Sequence, residues 1–218
     1  MALLSGLLSV SAAVFIAYLL WPTWQPSPSE QPSRLPITIG GVLFNIPPQA
    51  IREKVQRQPG AQERVDLAFA FPSLQPPSPP HHLSPDIEGH AEIAMQLIFL
   101  TIADHHGAMS PEARLQTIYP RYLETTTAPE HDGLVRQAFR DGSPYENEDL
   151  MMGGTAGQPP GFVARCTREA ETPGTCLSER RLGGVDLTFR YPRQWLGQWR
   201  EVAAAMDRLT ERLHGTHD

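Results

Sequence analysis

Positive charge is scarce in this sequence, and this excludes one large class of functions. The 218 residues contain 18 Lys and Arg against 24 Asp and Glu, which gives a formal net charge of −6 at pH 7. Proteins that bind nucleic acids carry an excess of basic residues, because these residues neutralise phosphates. The composition therefore predicts no nucleic-acid partner.

Sequence motifs typical of enzymes and metal sites are also missing. There is no H-E-x-x-H motif, no Cys/His spacing of a zinc site and no G-x-S-x-G nucleophile elbow. The G-G-x-x-G run at 153–157 lacks the lysine and the helix of a phosphate-binding loop. Glu146, Glu148 and Asp149 lack the spacing of an EF-hand, and we expect them in a solvated loop. The sequence thus favours a non-enzymatic protein and implies no cofactor.

A long apolar segment opens the chain. No charged residue occurs from Ala2 to Trp21, and twenty helical residues span about 30 Å, the thickness of a bilayer's hydrocarbon core. Residues 1–21 are therefore predicted to form a transmembrane anchor that contacts the lipid bilayer through residues 2–21. A cleaved signal peptide is the alternative, but the basic start is absent and the small residues at 11–13 fall inside the apolar stretch.

The two cysteines indicate the compartment. Cys166 and Cys176 lie ten positions apart, each within a strand-like run. An even number of cysteines at hairpin spacing predicts a disulfide formed outside the cytoplasm, with two buried reduced thiols as the alternative. Together with the anchor, this pair predicts a single-pass protein of the bacterial inner membrane with its C-terminal domain in the periplasm.

Proline divides the rest of the chain. Residues 22–36 contain five prolines and are predicted to form an extended linker, after which a periplasmic domain covers residues 37–215. A second cluster rich in Pro and His, residues 72–90, is predicted to be a disordered loop inside that domain. Glycine pairs at 40–41 and 183–184 predict two hairpin turns.

Hydrophobic periodicity predicts the fold class α+β. Apolar alternation or continuous apolar runs predict strands, and these cover Ile37–Ile39, Val42–Ile46, Arg64–Phe71, Met95–Ala103, Leu134–Arg140, Gly161–Arg168, Thr175–Leu182 and Val185–Tyr191. The Ser110-Pro111-Glu112 sequence predicts the start of a short helix. An apolar stripe from Leu196 to Leu213 predicts a long amphipathic helix. We expect an N-terminal transmembrane helix, a Pro-rich tether and an antiparallel sheet with both helices packed on it.

Two groups of residues are candidate sites. Asp104, His105 and His106 directly follow a predicted central strand, and with His81 or His82 they could hold a transition metal. Arginine and aromatic residues, which are enriched in binding hot spots, also cluster before the last helix. This second group comprises Arg190, Tyr191, Arg193 and Trp195. Packing of these side chains within the fold is the alternative interpretation.

Four segments resemble a known group of proteins. They are Leu115–Leu123, Ala138–Tyr145, Ala164–Thr167 and Pro173–Cys176. They resemble uncharacterised "transmembrane anchored" proteobacterial cell-envelope proteins, which have one N-terminal helix and a periplasmic domain. The resemblance implies no activity.

Three hypotheses for function follow. The first is a membrane-anchored periplasmic domain that acts as a non-enzymatic binding or assembly module of the cell envelope, with another envelope protein as its partner. The second is a periplasmic metal-binding protein or metal-dependent enzyme that uses Asp104, His105 and His106. The third is a sensor of a small ligand or of the cell wall.

Overall fold

The computed structural model describes residues 33–77, 96–154, 160–168 and 174–214. Apart from Ser33, they belong to a unit that begins at Arg34. The predicted anchor, most of the predicted linker and most of the 72–90 loop lie outside the described residues.

A small three-stranded sheet opens the unit. Its strands are β1 (Leu35–Ile39), β2 (Val42–Ile46) and β3 (Gly60–Ala61). β1 and β2 form the antiparallel hairpin that the glycine pair at 40–41 predicts, and β3 pairs with β1 in parallel. The hairpin is confirmed because Gly40 and Gly41 adopt the positive φ angles that such a turn requires.

The other strands among the described residues form a large sheet of eight strands. The strands are β4 (Arg64–Ala70), β5 (Leu97–Asp104), β6 (Leu123–Pro129), β7 (Leu134–Phe139), β8 (Glu148–Gly153), β9 (Phe162–Thr167), β10 (Thr175–Leu182) and β11 (Val185–Pro192). Their order is β4-β5-β11-β10-β9-β8-β7-β6, and every neighbouring pair is antiparallel.

Within the part of the chain that the structure describes, two α-helices accompany the sheets. Helix α1 (Pro111–Thr117) begins at Ser110, whose side chain accepts a hydrogen bond from the backbone N–H of Ala113. It gives way to a 3₁₀ turn at Tyr119–Arg121, because Pro120 cannot continue the helical hydrogen bonding. A further 3₁₀ turn at Arg193–Gln198 leads into helix α2 (Trp199–Leu213).

Helix α2 and the small sheet cover one face of the large sheet. The apolar stripe of α2 is buried there, and it consists of Trp199, Val202, Ala205, Met206, Leu209 and Leu213. It shares one core with the fully buried Ile37, Ile39, Phe44 and Ile46 of the small sheet. Burial of each such side chain stabilises the fold by roughly 1.5–3 kcal/mol, so this layer is the main source of stability.

Helix α2 contacts three central strands of the large sheet, β8, β9 and β10. The indole ring of Trp199 lies directly on Gly153 of β8, where a β-carbon would come within 2.8 Å of it. The same ring packs at 5.3 Å from the ring of Phe162 in β9. Farther along the helix, Asp207 forms an ion pair with Arg180 of β10.

A second, smaller core lies beneath helix α1. Tyr119, Phe139 and Leu150 are buried in it, and Leu115 and Met152 are among the partly buried side chains that pack around them. Leu150 and Met152 alternate along β8 with Met151, which belongs to the core beneath α2. Because successive side chains of a strand point to opposite faces, α1 and α2 lie on opposite faces of the sheet.

The predicted fold class is wrong. The described residues form mostly antiparallel sheet, with helices of only 7 and 15 residues. Glu148 and Asp149, expected in a loop, belong to the strand Glu148–Gly153, and Leu123–Pro129, for which no element was predicted, is also a strand. The acidic β8 remains a strand because Glu148 and Asp149 bond to arginines instead of remaining solvated.

The predicted single-pass inner-membrane localisation is corrected as well. Among the described residues, no helix is both long and apolar enough to cross a bilayer. Helix α2, the longer of the two, has 15 residues and spans about 22 Å, and its sequence includes charged residues. Residues 2–21, predicted to span the membrane, lie outside the described residues.

The two glycine turns lie against each other. A β-carbon added to Gly184 would lie 2.1 Å from the carbonyl oxygen of Gly40, and one added to Gly40 would lie 2.3 Å from the carbonyl oxygen of Gly184. Both distances are well below van der Waals contact. The turn of the β1–β2 hairpin therefore docks on the turn of the β10–β11 hairpin only while both positions are glycine.

We expect Gly184→Ala to lower the free energy of unfolding by roughly 1–3 kcal/mol, because the new methyl group forces the two hairpins apart. Urea denaturation of the purified protein measures the change. Gly197→Ala is the matched control, since a β-carbon there has no atom within 4 Å. Equal stability of the two variants would show that the hairpin contact is not close-packed.

Candidate functional site

The candidate site is an opening within the large sheet, between β9 and β10. These strands pair only at Cys176–Cys166 and Leu177–Arg165. In contrast, β10 pairs with β11 along all eight of its residues, and β9 pairs with β8 along all six of its own. The sheet thus consists of two four-stranded halves, β4-β5-β11-β10 and β9-β8-β7-β6, that separate beyond Leu177.

The register of β10 shows which backbone groups face the opening. Leu182 and Val185 are partners across a two-residue turn, which is closed by a hydrogen bond between these two residues. Hydrogen-bonded and non-hydrogen-bonded pairs alternate along an antiparallel ladder. The backbone N–H and C=O groups of Glu179 and Arg181 therefore point away from β11, toward β9, where the ladder does not continue.

A side chain takes the place of the next ladder bond. The Ser178 hydroxyl donates to the backbone carbonyl of Val163 in β9 at 2.8 Å, and it lies 3.0 Å from the Tyr191 hydroxyl. Ser178 is 2% exposed, so this bridge is buried. It holds β9 beside β10 at one point but leaves the backbone of Glu179 without a partner in β9.

The disulfide predicted from the sequence is confirmed, and it lies at the closed end of the opening. Cys166 and Cys176 are bonded, are directly opposite each other in the ladder and have a Cα–Cα distance of 4.0 Å. This short distance is typical of a non-hydrogen-bonded pair, as the register requires. The bond links the two halves of the sheet covalently.

The opening continues into a groove beneath helix α1, with a volume of about 760 Å³. We call this space the α1 groove. Its volume falls within the range of sites that hold ligands. Its apolar wall is formed by Leu115, Leu123, Leu150, Met152 and Leu177, and Met206 of α2 lies at its floor.

Away from the rim, the charged side chains that line the groove, Arg165, Glu179 and Arg180, each form an ion pair, and Arg180 pairs with Asp207 of α2. Arg114 of α1 forms an ion pair with Glu179 of β10 at 2.9 Å, between Nη2 and Oε1. Arg165 of β9 donates to Glu148 at 2.8 Å, and its guanidinium group packs 5.7 Å from the centre of the Tyr119 ring. Burial raises the pKa of the Tyr119 phenol, so this group stays neutral at physiological pH.

The rim of the groove carries a different charge. Glu112 at the start of α1 and Glu124 in β6 line the groove and are both exposed. They belong to a segment, residues 86–150, with twelve acidic and four basic residues. The α1 groove thus has an apolar interior and an acidic rim.

A buried carboxylate braces the sheet next to the disulfide. Asp149, which is 2% exposed, is the partner of Cys166 in the β8–β9 ladder. It accepts hydrogen bonds from Arg193 at 2.7 Å and from Arg168 at 3.2 Å. Arg193 also donates to the backbone carbonyls of Cys166 and Thr167. Arg193 is the first residue of the 3₁₀ turn before α2, so these contacts attach that turn to the β9-β8-β7-β6 half of the sheet.

The predicted aromatic–arginine site is mostly part of the fold. Tyr191 is 1% exposed, and burial raises the pKa of its phenol. Trp195 is 6% exposed and stacks on Phe71, with 4.3 Å between the ring centres. Arg193 binds Asp149, and Arg190 is the member of the group with an exposed side chain. The role of Arg190 in binding a partner stays a prediction.

The predicted metal-binding residues form a local turn. The Asp104 carboxylate accepts a hydrogen bond from the backbone N–H of His106 at 2.8 Å, and His105 Nδ1 accepts one from Gly107 at 2.8 Å. Among the described residues, no group of three or more His, Cys, Asp or Glu is placed to hold a metal ion. His81 and His82, the additional ligands considered, lie outside the described residues, so this site remains a prediction.

Comparison with known proteins identifies a shared fold. The chain matches no family model and has no significant match among curated proteins. It is similar to the structure of Smlt3025, an immunity protein of the Stenotrophomonas maltophilia type IV secretion system. The TM-score is 0.54 at 12% identity, covering 83% of this chain and 93% of that one. At this identity the likeness concerns the fold alone.

A second similar structure is FrpD, an iron-regulated outer membrane lipoprotein of Neisseria meningitidis. The match covers 83% of this chain and 90% of the FrpD chain, with 8% sequence identity and a TM-score of 0.46. That score is too low to support an inference.

We expect the double substitution Cys166→Ala with Cys176→Ala to lower the free energy of unfolding by about 2–4 kcal/mol, because the unfolded chain regains the freedom that the bond removes. Denaturant titration measures the loss. Hydrogen exchange should also rise in β9 and β10 more than in β4 and β5. Wild-type protein treated with reductant should reproduce the stability of the variant. Equal stability of the oxidised wild type and the variant would contradict the expectation.

Proposed function

We propose that this protein is a non-enzymatic binding module that recognises another protein through the α1 groove. The single observation that carries the proposal is the geometry of the groove, which combines a large apolar interior, an acidic rim and strand edges left open in the middle of a sheet. Apolar surface surrounded by polar residues is the usual form of a binding site.

The state of the ionisable groups supports binding over catalysis. Arg114 and Glu179 neutralise each other, as do Arg165 and Glu148, and the raised pKa of Tyr119 keeps its phenol protonated. Catalytic acids and bases usually have pKa values close to the working pH. These side chains are suited to hold the groove in shape and to orient a partner.

The shared fold supports the same class of function. Smlt3025, with which the chain shares its fold, is named as an immunity protein of a type IV secretion system. We infer that the partner of this chain is likewise a protein, belonging to the cell envelope or to a secretion system. The disulfide supports a site of action in an oxidising compartment, where such bonds persist.

We expect Met152→Glu to abolish recognition of the partner. Met152 is half-buried in the apolar wall, and an unpaired carboxylate there costs desolvation energy whenever a partner covers the groove. The full-length chain carrying an affinity tag is purified from its source cells, and quantitative mass spectrometry compares the proteins that copurify. A partner bound in the groove should fall at least tenfold with this variant.

Phe99→Glu is the matched control. Phe99 is half-buried, like Met152. It lies on the same face of the sheet as the groove, because directly paired residues share a face: Phe99 pairs with Arg190, and Arg190 pairs with Leu177 of the groove wall. Its ring lies under Arg52 and does not line the groove. The control should retain the partner. Equal recovery of every copurifying protein with both variants, each shown to be folded by circular dichroism, would refute the proposed function.

A further inference from the structure

We propose that the partner is bound as an extended polypeptide segment that adds a strand along β10 in the opening of the large sheet. This inference rests on the proposed function and specifies its mode of recognition. In such strand addition, main-chain hydrogen bonds supply affinity and pockets for alternate side chains supply specificity.

The open backbone of β10 is the first support. Ser178 to Leu182 lie beyond the last pair with β9, and at about 3.3 Å per residue this stretch is about 16 Å long. Within it, Glu179 and Arg181 direct their N–H and C=O groups to the open side. Backbone groups that face an apolar space need hydrogen-bond partners, and an extended segment supplies one donor and one acceptor at every second residue.

The walls of the groove are the second support. Side chains of an added strand alternate between the two faces of the sheet. On the α1 face they meet Leu115, Leu150 and Met152, and on the α2 face the floor at Met206. Each face thus offers apolar contacts, so the segment that fits carries apolar residues on both faces where it enters the opening.

The charge of the rim is the third support, and it selects among apolar segments. Glu112 and Glu124 are exposed at the mouth of the groove, within the acidic segment of residues 86–150. An attractive contact at an exposed rim mainly steers association and selects the partner. The segment we infer therefore has Lys or Arg beside its apolar residues.

Proline substitution tests the role of the β10 backbone. Glu179→Pro removes an N–H group that points into the opening, and it removes no hydrogen bond of the β10–β11 ladder. Glu179→Ala is its control, because both variants lose the ion pair with Arg114 and only the proline variant loses the donor. If Glu179→Pro is unfolded, the same comparison is made at Arg181, which pairs with Asp186.

The probe is a phage-displayed library of linear twelve-residue peptides selected on the full-length, oxidised chain. We expect enriched peptides with apolar residues next to Lys or Arg. Binding of the synthesised peptide should be at least tenfold weaker for Glu179→Pro than for Glu179→Ala. N-methylation of the peptide at successive amides should weaken binding at every second position, since only alternate amides face β10.

Three results would overturn the inference. They are a selection without binders, equal affinity of the proline and alanine variants, and peptides whose sensitivity to N-methylation does not alternate. The inference and the proposed function fail in different ways. A copurifying partner that is lost with Met152→Glu but retained with Glu179→Pro would leave the groove as a binding site and exclude strand addition.

Discussion

The bond between Cys166 and Cys176 is the constraint on which the site depends. Within the described residues, it lies at the one short stretch where the two halves of the large sheet pair through their backbones. Asp149 and Arg193 reinforce the same place from the neighbouring strand and from the turn before α2. A firmly held junction lets β9 and β10 separate immediately beyond it, and this separation creates the α1 groove.

Local features of the fold could be predicted from the sequence because a few neighbouring residues determine them. In the glycine pairs at 40–41 and 183–184, Gly40, Gly41 and Gly183 adopt positive φ angles that other residues adopt only at a cost. The stripe of α2 follows from a period of 3.6 residues, and the disulfide from two cysteines at hairpin spacing. In each case the information lies within about twenty residues of chain.

The features that were missed depend on residues distant in sequence. Glu148 and Asp149 were predicted to lie in a solvated loop, because no neighbouring residue in the sequence indicates their partners. In the structure, Arg165 and Arg193 neutralise them within β8. For Tyr191 and Trp195 the sequence left both a binding role and packing open, and the structure buries both side chains. The opening between β9 and β10 had only one weak signal in the sequence, because both strands alternate normally and only their pairing stops. That signal is Ser178, a polar residue at an inward-facing position of β10.

The position of Trp199 on Gly153 has a mechanical consequence. Helix α2 touches β8 and β9 through this indole, and it is tied to β10 through the ion pair of Asp207 with Arg180. The helix therefore bridges the two halves of the sheet on the face opposite α1. Because the indole packs on one half and the ion pair lies on the other, a change in the distance between the halves would require one of these two contacts to shift.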